Sequence, residues 1–305
     1  MTHFFETMFF SPKWYHYPII VLFLPLSFLY GAVMWLRRKW VRAKKYTIPI
    51  VSVGNLIVGG SGKTPFVIAL ASKYSDVFVI SRGYGRESKG LVEVSIKGKI
   101  LIEVRESGDE AMLMAISLPH ASVIVSENRE DAIDLALEKG AKFIVLDDGF
   151  NRVEIQKYEI LLEPKEIENY YPFPSGPFRE FFSTRKYADM IVKEGKSYVR
   201  KVEIDQATQR MVLVTAISNP KRLDGYLPDE VIDKVYYEDH AYFDEEVLKE
   251  ILKAQEATSI LCTSKDRVKM QNFKLPISEM KLELEIKNEI FTQVDAYIKG
   301  DRNEK

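Results

Sequence analysis

Hydrophobic and polar positions alternate in different ways along this chain, and each change of pattern predicts a different element. Residues 18–36, PIIVLFLPLSFLYGAVMWL, form an apolar run with no charged residue. A helix of about 20 such residues is long enough to cross a bilayer or to lie within one leaflet. Trp14, Tyr15, Tyr17, Trp35 and Trp40 bracket the run, and Arg37, Arg38, Lys39, Arg42, Lys44 and Lys45 follow it. Aromatic brackets and a basic flank suit a membrane interface with anionic lipid. The run is expected to lie in the inner leaflet, to span with its basic side cytoplasmic, or to be a buried soluble helix. No small-residue cleavage site follows, which argues against a removable signal peptide.

From Ile48 onward short apolar runs alternate with helical patterns. Ile48, Ile50, Val51 and Val53 read as a buried parallel strand. Further strands are predicted at 76–84, 121–126, 141–150 and 158–163, with helical patterns from Lys63 to Ala71, at 111–118 and from Asn128 to Lys139. Residues 91–104 alternate around Lys97-Gly98 as a hairpin beside the sheet. This order predicts an α/β fold, a three-layer domain over 47–165 with a mostly parallel sheet. Tyr170 to Pro177, YYPFPSGP, is too rich in proline for a helix and is expected to be a hinge. A helix starting at Phe178-Arg179-Glu180-Phe181 then opens a smaller second α/β domain, placed at 166–286. Its strands are ADMIVKE, RMVLVTAIS and ATSILCTS, with DEEVLKEILKAQE as a helix. The last helix, roughly Lys287 to Lys299 within 287–305, is expected to pack back on the first domain. Residues 1–46 make the membrane-associating helix and its flank.

Composition narrows the picture only slightly. The 305 residues, 46% hydrophobic and 29% charged, suffice for two domains with real cores. A net charge of −1 gives no basic excess, so a nucleic-acid partner is not expected. The single cysteine, Cys262, cannot form an internal disulfide and sits in the apolar run Ile260-Leu261-Cys262, as a buried thiol would.

The chemistry centres on 48–66, IPIVSVGNLIVGGSGKTPF. A strand, a glycine-rich turn and Lys63-Thr64 opening a helix make the context of a phosphate-binding loop. Glycines let backbone N–H groups converge on phosphate, and the helix N-terminus adds positive potential. The nucleotide contacts expected are Ile57, Val58, Gly59, Gly60, Ser61, Gly62, Lys63 and Thr64. Lys63 serves the β- and γ-phosphates of ATP, and the Thr64 hydroxyl serves Mg²⁺. Ile57 stands where the strict loop pattern has its first glycine. Asp147-Asp148 ends an apolar strand, as a Mg²⁺-holding carboxylate does in such proteins. Arg82 and Arg129 stand at strand ends, where ligands collect in open sheets, and Arg179 is a further phosphate candidate. Ser107-Gly108-Asp109-Glu110 precedes a helix and reads from spacing as a cap, or alternatively as an acid/base group. His240, in EDHAYF, reads as a loop residue.

VGNLIVGGSGKTP, SRGYGR, SGDEA, VLDDGF, SGPFRE, EDHAYF and TSKD occur in the order seen in tetraacyldisaccharide 4'-kinases, the lipid A 4'-kinases of Gram-negative bacteria, and the chain resembles that family over most of its length. The resemblance implies ATP-dependent phosphorylation of the 4'-hydroxyl of a tetraacylated glucosamine disaccharide 1-phosphate. It implies that Asp109 is the general base, assisted by His240. Lys63 and Thr64 then bind ATP and Mg²⁺, Asp147 and Asp148 lie at the metal, and Arg129 and Arg179 neutralise phosphate. It also implies a lipid substrate, the cytoplasmic face of the bacterial inner membrane, and no required protein partner. Asn151-Arg152 replaces the family's usual Gln-His after Asp-Asp-Gly-Phe. The rival reading is a membrane-tethered P-loop ATPase that switches a protein partner. Thr263-Ser264-Lys265-Asp266 lacks the spacing of a guanine reader, which disfavours a GTPase.

Overall fold

The structure, a computed structural model, describes residues 2–59, 62–164 and 167–300. Gly60 and Ser61 of the expected nucleotide loop, the expected 165/166 domain boundary and residues 301–305 lie outside the described residues. The chain opens with helices α1 (Thr2–Phe10) and α2 (Tyr17–Trp40), strand β1 (Ile50–Gly54) and helix α3 (Lys63–Ala71). Strands β2 (Val77–Ser81), β3 (Val92–Ile96) and β4 (Lys99–Ile100) precede helices α4 (Val104–Ser107) and α5 (Asp109–Ser117). Next come β5 (Ser122–Val125), α6 (Arg129–Glu138), β6 (Phe143–Asp147), β7 (Tyr158–Glu163), β8 (Met190–Lys193) and β9 (Tyr198–Asp205). Strands β10 (Met211–Thr215) and β11 (Val231–Tyr236), helix α7 (Glu245–Ala254), β12 (Ser259–Thr263), α8 (Ser264–Arg267), β13 (Ile277–Ile286) and α9 (Asn288–Lys299) follow. This is a mixed α/β fold with a large, mostly parallel sheet, a second sheet and an N-terminal apolar helix.

Internal contacts group the chain into two compact units, Met1–Leu70 with Ala136–Val199 and Ile286–Lys305, and Ala71–Leu135 with Arg200–Glu285. This grouping interleaves segments, whereas the sequence reading divides the chain once, between 47–165 and 166–286.

In the first unit, neighbouring strands run β6-β1-β7-β8, all parallel. Every residue of β1 and β6 is buried, as expected for strands covered on both faces. The register sets Val53 beside Asp147 and Gly54 beside Leu161, so β1 and β6 end together at the phosphate loop. Helix α9 belongs to this unit: the Tyr158 hydroxyl of β7 donates to Gln293 at 3.3 Å, and its ring meets Tyr297 at 5.1 Å between centroids.

Helix α2 buries only one stripe, Ile20, Ser27 and Gly31. Its other face leaves Val21, Leu22, Leu26, Leu29 and Val33 in the open. The stretch Trp14–Trp40 is long and apolar enough to cross a membrane by length and composition, and little of it is buried. The buried-soluble-helix alternative needs the opposite. The buried stripe is stitched to the segment expected as a hinge. Ser175 donates its N–H to Ser27 Oγ at 2.8 Å and its hydroxyl to the Ile20 carbonyl at 2.9 Å. YYPFPSGP thus lies inside the first unit as the dock for α2.

The helix expected from Phe178 begins later, as a 3-10 turn over Phe182–Tyr187. The reason is local: the Phe178 carbonyl, which would accept the first intrahelical bond, instead accepts the Phe173 N–H at 2.8 Å. With that acceptor spent on a neighbouring segment, a helix cannot start at Phe178. The basic flank of α2 also differs from expectation. Arg37 donates to the Asn151 carbonyl and pairs with Glu154, both at 2.9 Å. Arg38 donates to the Phe150 carbonyl at 2.9 Å and to Glu180 Oε1 at 3.0 Å, with its guanidinium over the Phe150 ring. These two cations face protein, not lipid.

In the second unit one strand set runs β4-β3-β5-β2, with β2 and β5 parallel, β3 antiparallel to β5 and β4 antiparallel to β3. The hairpin turns at Lys97-Gly98, both at positive φ as a tight two-residue turn demands. Its second arm is shorter than expected, since Val104 already starts α4. The five-stranded sheet runs β11-β10-β12-β13-β9, and β10, completely buried, pairs in parallel with β11 and β12. Cys262 is buried there against Val212, Val214 and Leu248.

Candidate functional site

Each unit carries one cluster of chemically capable side chains. In the first unit Lys63 is the first residue of α3, and its ammonium donates to Asn55 Oδ1 at 3.1 Å. Asp148 follows the end of β6 at φ +54, its N–H bound to the Val53 carbonyl. Its carboxylate takes two bonds from Arg179, at 2.8 and 3.0 Å, and faces Lys63 at 3.5 Å. Burial opposes the charge on Asp148, but Lys63 and Arg179 outweigh it and hold the carboxyl below its usual range. Two cations beside one carboxylate, at the mouth of a glycine-rich turn, leave a positive excess suited to phosphate. Gly54 is needed for this closeness: a Cβ there would stand 2.5 Å from Phe150 Cβ. Val58 binds the Pro177 carbonyl through its N–H, and Ile57 is buried with Phe178 in a small apolar cluster. Ile57 in place of glycine is therefore a packing residue as well as part of the loop. Thr64 lies in the first turn of α3 next to Lys63, and Asp147 is the buried last residue of β6.

In the second unit Asp109 opens α5, with Gly108 as the residue before it at φ +82. Gly108 holds the cap position without a side-chain bond, and Asp109 and Glu110 stand in the first turn, where the helix dipole favours acids. The Asp109 carboxylate also reaches His240, whose Nδ1 lies 3.0 Å from Asp109 Oδ2. A Cβ on Gly108 would stand 2.7 Å from the Tyr84 carbonyl, so only glycine fits between SRGYGR and α5. His240 is held at φ +64 by its own N–H bond to the Ala216 carbonyl, and Tyr84 packs on its ring at 5.3 Å. Burial works against the Asp109 charge, but the His240 hydrogen bond and the Lys269 and Lys265 ammoniums together keep the carboxyl below its usual range. The Asp109 hydrogen bond raises the His240 pKa, against burial and Lys265. An ionised, buried carboxylate joined to an imidazole is an arrangement that can take a proton from a hydroxyl.

Of the remaining candidates, Arg129 is the buried first residue of α6 and donates to the Ser126 carbonyl at the end of β5, while Arg82 is exposed. Asn151 and Arg152 serve the α2 dock and its neighbours through the Asn151 carbonyl and an Arg152–Glu154 pair at 3.7 Å. Three residues were missed from sequence: Asn55 beside Lys63, and Lys265 and Lys269 beside the Asp109–His240 pair. Lys265 and Lys269 lie four residues apart at the end of an apolar strand, and that spacing was the available signal.

Comparison with known proteins places these features. The sequence matches the family described as Tetraacyldisaccharide-1-P 4'-kinase over residues 19–212 and 196–299. It is 48% identical over 297 residues to a tetraacyldisaccharide 4'-kinase of Helicobacter pylori, covering 97% of this chain and 95% of that protein. A tetraacyldisaccharide 4'-kinase of Aliarcobacter butzleri is 44% identical over 302 residues, 96% of each chain. A crystal structure of LpxK from Aquifex aeolicus, an "apo" form in complex with ATP, is 27% identical with a TM-score of 0.79, covering 92% of this chain and 99% of that one. The phosphate-loop turn, the Asp109–His240 pair and the apolar N-terminal helix thus sit in a chain that belongs, over nearly its whole length, to the tetraacyldisaccharide 4'-kinase family.

Proposed function

We propose that the protein transfers the γ-phosphate of ATP to the 4'-hydroxyl of a tetraacylated glucosamine disaccharide 1-phosphate, a step of lipid A biosynthesis. Family membership supports the reaction class, and the Asp109–His240 contact carries the reading for this chain. A kinase for an alcohol must place a proton acceptor at its acceptor oxygen, whereas a switch ATPase needs only to orient water. That contact therefore favours the kinase over the membrane-tethered switch.

Lys63 and Arg179 rest on Asp148 and exchange that carboxylate for phosphate oxygens when nucleotide enters. The loop from Ile57 to Thr64 cradles the phosphates, and Arg129 adds charge at the end of β5. Among the described residues no group of three or more His, Cys, Asp and Glu side chains is arranged to hold a metal. Mg²⁺ does not need one, because it takes one or two carboxylates and fills its shell with phosphate and water. The donors present, Asp147, Asp148 and the Thr64 hydroxyl, are all hard oxygens and fit that ion. Bound there, Mg²⁺ would neutralise charge on the β- and γ-phosphates. Asp109 accepts the sugar hydroxyl proton, and His240 orients Asp109 and shares its charge. Positioning and charge neutralisation supply most of the acceleration, with the base adding about 10²–10⁴-fold.

The exposed face of α2 suits a lipid substrate, since it brings the enzyme to the surface where that substrate resides. The basic residues after the helix argue for the cytoplasmic face of the inner membrane. The deciding assay uses labelled ATP with the disaccharide 1-phosphate lipid in detergent. Lipid-dependent label transfer is the expected outcome. ATP hydrolysis that ignores the lipid would favour the switch.

A further inference from the structure

The sequence around TSKD stayed outside the catalytic assignment, yet its two lysines end at the Asp109–His240 pair. Lys269 has a fully buried side chain. Its ammonium donates to the Ala241 carbonyl at 2.9 Å and lies 3.3 Å from Asp109 Oδ2 and 3.5 Å from Asp266 Oδ1. Lys265 lies 3.3 Å from His240 Nε2, 2.8 Å from Glu110 Oε1 and 3.8 Å from Asp239 Oδ1. Asp266, between them in sequence, is itself pinned by Thr215, Thr263 and the Ala216 N–H. The Ala216 carbonyl in turn receives the His240 N–H. One short helical segment therefore fixes both ends of the pair.

We propose that Lys265 and Lys269 are positioning residues that set the proton pattern of the Asp109–His240 pair, an inference that rests on the kinase reading above. An ammonium has donors and no acceptor. Lys265 beside Nε2 requires that nitrogen to be the bare, accepting one, so the ring proton sits on Nδ1 and is donated to Asp109 Oδ2. Lys269 approaches the same Oδ2 atom. The His240 N–H and the Lys269 ammonium converge on one carboxylate oxygen, and Oδ1 is left as the oxygen that receives the acceptor hydroxyl proton. Lys265 also opposes a second proton on His240, and so keeps the imidazole ready to share the charge that Asp109 takes up. Glu110 and Asp239 hold Lys265 charged in spite of its burial. The groups facing the pair are thus Lys269, Lys265, Glu110 and Asp239, with Tyr84 on the His240 ring and Tyr242 near Asp109.

The test uses the full-length protein and the near-isosteric variants Lys265→Met and Lys269→Met. In the resting protein, histidine NMR titration, with His240 assigned by the signal lost in His240→Gln, follows the imidazole directly. Lys265→Met removes a charge that depresses the His240 pKa, so that pKa is expected to rise by about one unit. Lys269→Met removes a charge that favours Asp109 carboxylate, so the acidic limb of kcat/KM against pH is expected to move up by about one unit. Activity should then fall by up to about tenfold on the acidic limb and return to near the wild-type value towards neutrality, where Asp109 is ionised with or without Lys269, while KM for ATP changes by less than about twofold. An unmoved His240 titration in Lys265→Met, or an activity loss in Lys269→Met that is equal at every pH, overturns the proposal and leaves the lysines as packing residues. Urea unfolding of each variant separates this from simple loss of the fold. The NMR arm needs no turnover, so a wild type that transfers no phosphate would count against the kinase reading alone.

Discussion

His240 Nδ1 lies 3.0 Å from Asp109 Oδ2, although 131 positions separate the two residues in the chain. A pair that works as one unit should show non-additive losses. Asp109→Ala and His240→Ala should each lower kcat far more than they weaken ATP binding, and the double variant should be little worse than the poorer single one. Glu110→Ala, which removes the carboxylate paired with Lys265, should cost less. Losses that add on a logarithmic scale would show independent roles.

The Lys63 ammonium works between Asn55 and Asp148. Lys63→Ala should fold and should lose about 10²–10³-fold in phosphoryl transfer, the usual cost of one electrostatic contact at a transition state. Retention of more than about a tenth of the wild-type rate in folded protein would remove the phosphate-loop assignment.

Leu22 and Leu29 point away from the protein, 73% and 62% exposed. Leu22→Gln with Leu29→Gln should weaken binding to anionic lipid vesicles in a flotation assay. ATP affinity in detergent should hold, because neither residue is part of the dock to Ser175. Equal flotation of variant and wild type would show that this face is not what meets lipid.

Glu159 on β7 is buried beside Ser52 of β1, and burial pushes its carboxyl up to about 7 against the opposing pull of the Lys157 ammonium 2.7 Å away. Unfolded, it titrates near 4.5. Between those values the folded chain binds more protons than the unfolded one, so this group's contribution to stability falls as pH rises through the window. Glu159→Gln should flatten the pH dependence, by about 3 kcal/mol at most across that interval. Parallel Tm curves for variant and wild type from pH 5 to 7.5 would show a carboxylate ionised in both states (a window set by the ordinary span of such titrations).

The elements that carry strong local signals were legible. The β1 run, the loop and α3 follow from β-branched residues, glycines and Lys63-Thr64, and β6 with Asp147-Asp148 follows from an apolar run that ends in acid. What pattern could not supply was pairing across distance. Nothing near Asp109 announces His240, and spacing alone favoured a helix cap; only the family resemblance joined them. Lys265 and Lys269 were not singled out because a sequence does not display which ammoniums are buried. Arg37 and Arg38 were assigned to lipid for a similar reason, since a basic cluster after an apolar helix has that meaning only when its side chains are free. The Phe178 helix failed because the Phe178 carbonyl was claimed by the Phe173 N–H, a pairing that the local pattern does not display.

Arg38 ties the last turn of α2 to Phe150 and Glu180, and Arg37 ties it to Asn151 and Glu154. Phe150 stands two residues after Asp148 and closes against Gly54. The apolar helix is therefore not an interchangeable tether. A foreign membrane anchor grafted in its place could return the enzyme to the bilayer, yet it would bring no guanidinium to clasp the Asp-Asp-Gly-Phe turn. Location belongs to the exposed apolar face of the helix and competence to its two arginines, and a chimera would separate them.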